Sequence, residues 1–115
     1  MQLIIDSFCN NLMLLTSKEE LGKWLIDVID FIGMTLIGGP YVVYYPAGNG
    51  DEKGLSGVVL LAESSIVVHT YPEYKFVYID LFSCKEFNTE EVLSRIKRGF
   101  GMEDPIVHLL TRRIR

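Results

Sequence analysis

The chain has 115 residues, 49% hydrophobic and 23% charged, the composition of one ordinary globular domain rather than a disordered segment. Fifteen acidic against eleven basic side chains leave a net charge of −4, which argues against nucleic acid as a partner. Two cysteines, Cys9 and Cys84, are too few for a disulfide framework, and no basic-then-apolar leader opens the chain, so a reduced, cytoplasmic setting is expected. Phe31 to Gly50 carries no charge, but Gly38-Gly39-Pro40, Pro46 and Gly48-Asn49-Gly50 would break a membrane-spanning helix there. No membrane segment is expected.

In chain order, Gln2 to Phe8 is short, apolar and β-branched, and predicts a first strand. Ser17 with Glu20 has the spacing of a capping box, and Leu21, Trp24, Leu25, Val28, Ile29 and Ile32 then form one apolar stripe at helical spacing. Met34 to Tyr45 predicts a strand broken or bulged at Gly38-Gly39-Pro40, and Pro46 to Gly54 an exposed loop. Three apolar strands follow at Gly57 to Ala62, Ile66 to Tyr71 and Phe76 to Ser83, and their short connections favour antiparallel pairing. Asn88 with Glu91 caps a second amphipathic helix through Val92, Leu93, Ile96 and Phe100, and Pro105 to Thr111 predicts a last strand. Arg112, Arg113 and Arg115 read as a solvated tail.

The order β-α-β-β-β-β-α-β predicts an α+β two-layer sandwich, a mainly antiparallel sheet with two helices on one face, as a single domain over residues 1–115. In Phe76 to Cys84, Val77, Ile79 and Leu81 alternate with Phe76, Tyr78, Asp80, Phe82 and Cys84. The aliphatic set suits the helix side; the aromatic set, with its carboxylate and thiol, suits a site or an interface. A chain this small buries a modest share of its surface, so an open sheet face invites self-association.

His108 reads as structural or exposed and Cys9 as an inert small side chain. The two histidines and two cysteines never fall at metal-ligand spacing, so no metal site is expected, and no glycine-rich phosphate loop occurs. His69 and Cys84 lie on sequential strands and so have the chance to approach one another, but a Cys–His pair alone is more often structural than catalytic. Glu63-Ser64-Ser65 between two apolar strands is equally at home as a polar hairpin turn.

Taken together, Gly54-Leu55-Ser56-Gly57, Glu63-Ser64, His69-Thr70-Tyr71-Pro72-Glu73 and Asp80-Leu81-Phe82-Ser83-Cys84 resemble the prokaryotic S-adenosylmethionine decarboxylases, over roughly Leu3 to Cys84. The resemblance implies a proenzyme that cuts itself before Ser64, leaving residues 1–63 as a β chain and 64–115 as an α chain. Ser65 is the neighbouring alternative; the Glu-Ser position and the gap to His69 favour Ser64. It further implies a pyruvoyl cofactor made from Ser64, which binds substrate as a Schiff base and accepts electrons as carbon dioxide leaves. Ser56 would stabilise the processing oxyanion, His69 act as processing acid/base, and Cys84 return a proton to the product. Glu73 would bind the ribose hydroxyls, Tyr71 stack on adenine, and Glu63 touch substrate after cleavage.

The substrate so implied is S-adenosylmethionine and the product an aminopropyl donor for spermidine synthesis. Each chain resembles half of the longer eukaryotic enzyme, which implies a homo-oligomer of αβ units, at least a dimer. Two alternatives stand beside this one: a pyruvoyl-dependent arginine or ornithine decarboxylase on the same scaffold, and a non-cleaving regulatory subunit. Against the family pattern, the loop Ala47 to Lys53 looks long, and it precedes Ser56.

Overall fold

The structure, a computed structural model, describes residues 1–46 and 53–113. Strand β1 (Gln2–Cys9) leads into a short helix α1 (Leu12–Thr16) and a long one, α2 (Lys18–Ile32). A four-strand meander follows: β2 (Leu36–Pro46), β3 (Lys53–Leu61), β4 (Ser64–Tyr71) and β5 (Phe76–Ser83). Helix α3 (Thr89–Phe100) and β6 (Met102–Leu110) come last. The six strands form one sheet in the order β2-β3-β4-β5-β1-β6, with every neighbouring pair antiparallel. β1 therefore threads between β5 and β6, and α3 carries the chain across it.

Period-two alternation decides the layers. Leu3, Ile5, Leu55, Val59, Ile66, Val68, Val77, Ile79 and Leu81 are buried on the inner face. Against them lie Leu21, Trp24, Leu25, Val28 and Ile29 of α2 and Val92, Ile96 and Phe100 of α3, with the Trp24 and Phe100 rings edge to face at 4.7 Å. Among the described residues no helix covers the opposite face of the sheet. That face exposes Val43 (60%), Leu60 (47%), Tyr78 (43%) and Ile106 (59%), an apolar surface of the kind that usually meets a partner.

Both expected helix starts are capped as the spacing predicts: Ser17 Oγ accepts from Glu20 N at 3.2 Å, and Asn88 Oδ1 from Glu91 N at 3.1 Å. The helices number three, not two. Five residues are too few to display a helical period, so α1 escapes sequence reading, although Asn11 caps it and Ser17 N–H closes it on Met13 O. β3 begins at Lys53, earlier than its loop-like composition suggests. Gly54 is there because a side chain would collide with the Thr70 carbonyl of β4. β4 likewise starts at Ser64, so Ser64 and Ser65 are strand residues and the turn is Ala62-Glu63. β2 shows the expected irregularity, with register shifts on either side of Gly38. The loop expected over Ala47 to Lys53 lies, through Glu52, outside the described residues, as does Arg115.

Thr70 joins α1 to the sheet: its buried Oγ1 accepts from Leu55 N at 2.9 Å and donates to Leu15 O at 2.8 Å. Thr70→Val keeps the shape but strands a buried donor and a buried acceptor. It should lower the unfolding free energy by about 2–4 kcal/mol in urea titration, and a loss under 1 kcal/mol would mean that both groups find other partners.

Candidate active site

β4 carries the alternation that sorts the predicted residues. Ser65, Val67, His69 and Tyr71 share its outer side, and Ser64, Ile66, Val68 and Thr70 its inner side. Across the ladder His69 stands opposite Ser56 of β3, and Ser56 Oγ lies 2.9 Å from His69 Nδ1. On its other side His69 faces Tyr78 of β5, whose ring meets that of Tyr71 edge-on at 5.5 Å. Phe76 continues this aromatic row between Tyr78 and Phe8, at centroid distances of 5.0 and 4.9 Å. Glu73 stands exposed in the single 3-10 turn Pro72–Tyr74 just beyond β4. Ser56, His69, Tyr71 and Glu73 thus gather toward one end of the strand.

Glu63, Ser64 and Cys84 gather at the other end. Leu61 pairs with Ser64, so Ala62 and Glu63 alone make the hairpin turn. Favoured two-residue hairpins have positive φ at the first or at both central positions, filled by Gly, Asn or Asp. Here the positive φ (62°) falls on the second position, and the residue is Glu63. Left-handed backbone costs a residue with a Cβ roughly 1–2 kcal/mol, so the peptide ahead of Ser64 is held under strain. Ser64 faces Ser83 across β5, and Cys84 follows directly.

A cavity of about 430 Å³ opens at this end, lined by Glu63, Phe82, Ser83, Cys84, Arg112 and Arg113 together with Met1. Cys84 is half-buried, whereas burial pushes the Cys9 thiol up to about 11, which keeps Cys9 protonated and inert. Arg112 and Arg113 are exposed, as the reading of a solvated tail expects, but Arg112 is also tethered. Its Nη1 donates to Gln2 Oε1 at 2.8 Å, Gln2 Nε2 donates in turn to both Asp80 oxygens at 3.0 and 3.1 Å, and its guanidinium lies 5.1 Å from the Phe82 ring centre. Sequence reasoning missed Arg112, yet a signal existed. The outward alternation Ile106, His108, Leu110 runs on to it past the end of β6.

The two clusters do not meet within one chain. Ser64 and His69 are five residues apart along a strand, about 16 Å at roughly 3.3 Å per residue. His69 and Cys84 fare no better, since the residue opposite His69 is Tyr78, six positions before Cys84. The approach that neighbouring strands seemed to offer this pair is refused by register. Among the described residues no group of three or more His, Cys, Asp or Glu side chains is placed to hold a metal ion, and no helix is long and apolar enough to cross a membrane.

Comparison with known proteins puts this geometry in a family. A family model described as S-adenosylmethionine decarboxylase matches residues 1–113. The chain belongs to the S-adenosylmethionine decarboxylase family. The S-adenosylmethionine decarboxylase proenzyme of Archaeoglobus fulgidus is 35% identical over 89 residues, covering 76% of this chain and 69% of the relative. That of Clostridium botulinum is 28% identical over 98 residues, covering 84% and 79%. The crystal structure of the adenosylmethionine decarboxylase from Aquifex aeolicus superposes with a TM-score of 0.70 at 20% identity, covering 97% of this chain and 92% of that one, and so shares the fold.

Strain at Glu63 can be measured on a family member kept uncut. In a Ser64→Ala background, Glu63→Gly should raise the unfolding free energy by about 0.5–1 kcal/mol, because glycine accepts a φ of 62° without penalty. An unchanged or lower urea midpoint would show that this turn stores nothing.

Proposed function

We propose that the chain is a self-processing S-adenosylmethionine decarboxylase, cut between Glu63 and Ser64 into a β chain of residues 1–63 and an α chain of residues 64–115. The observation that carries this reading is the strained Glu63 peptide joined to a serine, beside a cavity that holds the accessible thiol of Cys84. Ser64 Oγ adds to the Glu63 carbonyl, and the acyl shift to an ester lets the left-handed turn relax. Ser65 is the poorer nucleophile, because the peptide ahead of it joins two paired strand residues. The residues at this end suit a pyruvoyl group made from Ser64, which when present supplies an electron sink for loss of carbon dioxide. Cys84, one position past the partner of Ser64, is placed to hold a proton for the product carbon.

Processing also needs an oxyanion donor and a base, which are Ser56 and His69. Their 2.9 Å contact leaves one hydroxyl and one imidazole aligned, but about 16 Å from Ser64 of the same chain. A second copy resolves this. Ser56, His69 and Tyr71 lie on the bare apolar side of the sheet, Ser64 enters β4 on the inner side at the opposite end beside the Ala62-Glu63 turn, and a twofold pairing of two bare faces would bring the His69 end of one copy to the turn end of the other. The functional unit is therefore at least a dimer of αβ units, with Glu73 and Tyr71 offering a carboxylate for a ribose diol and a ring for adenine. The product feeds spermidine synthesis, in the reducing cytoplasm that two free cysteines suit.

Purified protein should give fragments of 63 and 52 residues by intact mass, with the smaller lacking a free α-amine. Ser64→Ala should leave one chain, and Ser65→Ala should still be cut. Co-expression separates the dimer from a single-chain site: His69→Ala chains, slow alone, should be cut when paired with Ser64→Ala chains that lend their His69. A wild-type chain that stays whole for days would leave the regulatory-subunit reading in its place.

Cys84→Ala should still be processed, while its turnover of S-adenosylmethionine falls by roughly 10²–10⁴-fold, the usual worth of a general acid. Carbon dioxide release at the wild-type rate would assign the proton to another group.

A further inference from the structure

The cavity beside Glu63 holds more positive charge than the uncut chain can use. Arg112 and Arg113 line it together with one carboxylate, the Glu63 side chain. Among the described residues the ion pairs within 4 Å are those of Lys23 with Glu19 and Glu20, and Arg112 is paired to no carboxylate of those residues. Its partner is instead a neutral amide oxygen, that of Gln2. Seated on Phe82 and tethered through Gln2 to Asp80, its guanidinium is oriented before any anion arrives.

We infer that Arg112, with Arg113 beside it, receives the carboxylate that self-cleavage creates at Glu63, and that it hastens the step in which this carboxylate departs. The inference rests on the reading that Ser64 cuts the peptide. In that reaction Ser64 Oγ bonds to the Glu63 carbonyl carbon, the C–N bond breaks, and the nitrogen takes the hydroxyl proton, leaving an ester. A base then removes the Ser64 α-proton, its electron pair forms the Cα=Cβ bond, and the Cβ–Oγ bond breaks. The departing group is the α-carboxylate of Glu63, which keeps the oxygen that was Ser64 Oγ. No oxidant or water enters either step.

The new charge therefore appears on Glu63, inside a cavity already supplied with two guanidiniums. Before cleavage these, with the Met1 ammonium that also lines the cavity, face one carboxylate; afterwards they face two. Both arginines are exposed at the rim of the cavity, and a planar fork matches a carboxylate with two parallel N–H donors, which a lysine does not. Because the charge develops as the Cβ–Oγ bond breaks, Arg112 stabilises the transition state of elimination more than the ester before it. Once cleavage is complete, the same pair holds the end of the β chain in place beside Cys84.

The test follows processing of freshly folded precursor, quenched at intervals with hydroxylamine, which splits the ester to a Glu63 hydroxamate and an α fragment with amino-terminal Ser64. Mass spectrometry distinguishes that fragment from the pyruvoyl form. In Arg112→Ala the ester should persist about ten- to a hundred-fold longer than in the wild type, the effect of one charge-assisted hydrogen bond to the leaving group. Arg112→Lys should recover part of the rate, and Gln2→Ala, which frees the guanidinium to wander, should show a smaller delay. These two variants carry the test if Arg112→Ala does not fold. An ester lifetime equal to wild type in all three overturns the inference; if KM for S-adenosylmethionine alone rises, Arg112 serves the substrate carboxylate instead. A wild-type chain that is not cut, or a Ser64→Ala chain that is, overturns the cleavage reading itself and this inference with it.

Discussion

The ladder that locks β4 between β3 and β5 sets Ser56 opposite His69 and Ser64 opposite Ser83, and every other feature of the site follows from that pairing. A slip of one residue would turn Ile66, Val68 and Thr70 out of the core and bring the polar face of β4 onto α2, so burial enforces the register. Thr70 adds a directional lock, because its hydroxyl is bonded to both β3 and α1 and has one satisfying position. Gly54 lets the strands come close enough for that contact. The reactive residues are thus positioned by a core in which they take no part.

The same register keeps the two halves of the chemistry apart. His69 and Ser56 sit toward one end of the strands, and Glu63, Ser64 and Cys84 at the other, on a sheet with helices on its inner side only. The bare face is apolar where it is not reactive, with Val43, Leu60, Tyr78 and Ile106 all well exposed. The isologous pairing proposed above would meet both needs at once, covering apolar surface and joining complementary ends of the strands. On the proposed reading, separation of the nucleophile from its base would delay self-cleavage until two copies have met, so that cutting follows assembly.

Legibility in the sequence tracked periodicity. The α2 stripe and the alternation in β5 are long and regular, and both elements stand where their patterns put them. Elements without a period were misread or missed: α1 is five residues long, and the start of β3 is a lysine and a glycine that resemble loop. Ser64 and Ser65 resemble turn residues because hydroxyls favour turns, yet pairing with Leu61 and Leu60 draws them into the ladder. The candidate site residues come from their resemblance to family motifs, while their division into two groups is invisible in sequence, since it depends on which residue stands opposite which. Arg112 was missed for a related reason: its role comes from Gln2 and Phe82, remote in sequence and adjacent only after β6 pairs with β1.

Strain alone would not select a cleavage point. Three non-glycine residues among those described have positive φ: Glu63, Lys75 and Asp104. The residues that follow them are Ser64, Phe76 and Pro105, so only the first strained peptide adjoins a hydroxyl able to attack it. That peptide also shares a cavity with the guanidiniums of Arg112 and Arg113. A stored strain of one or two kcal/mol corresponds to about a five- to thirtyfold rate at most, far short of what peptide cleavage requires. On the proposed reading, strain and the adjoining hydroxyl together mark the bond, and the larger share of the acceleration would fall to the oxyanion donor, the base and the cations around Glu63.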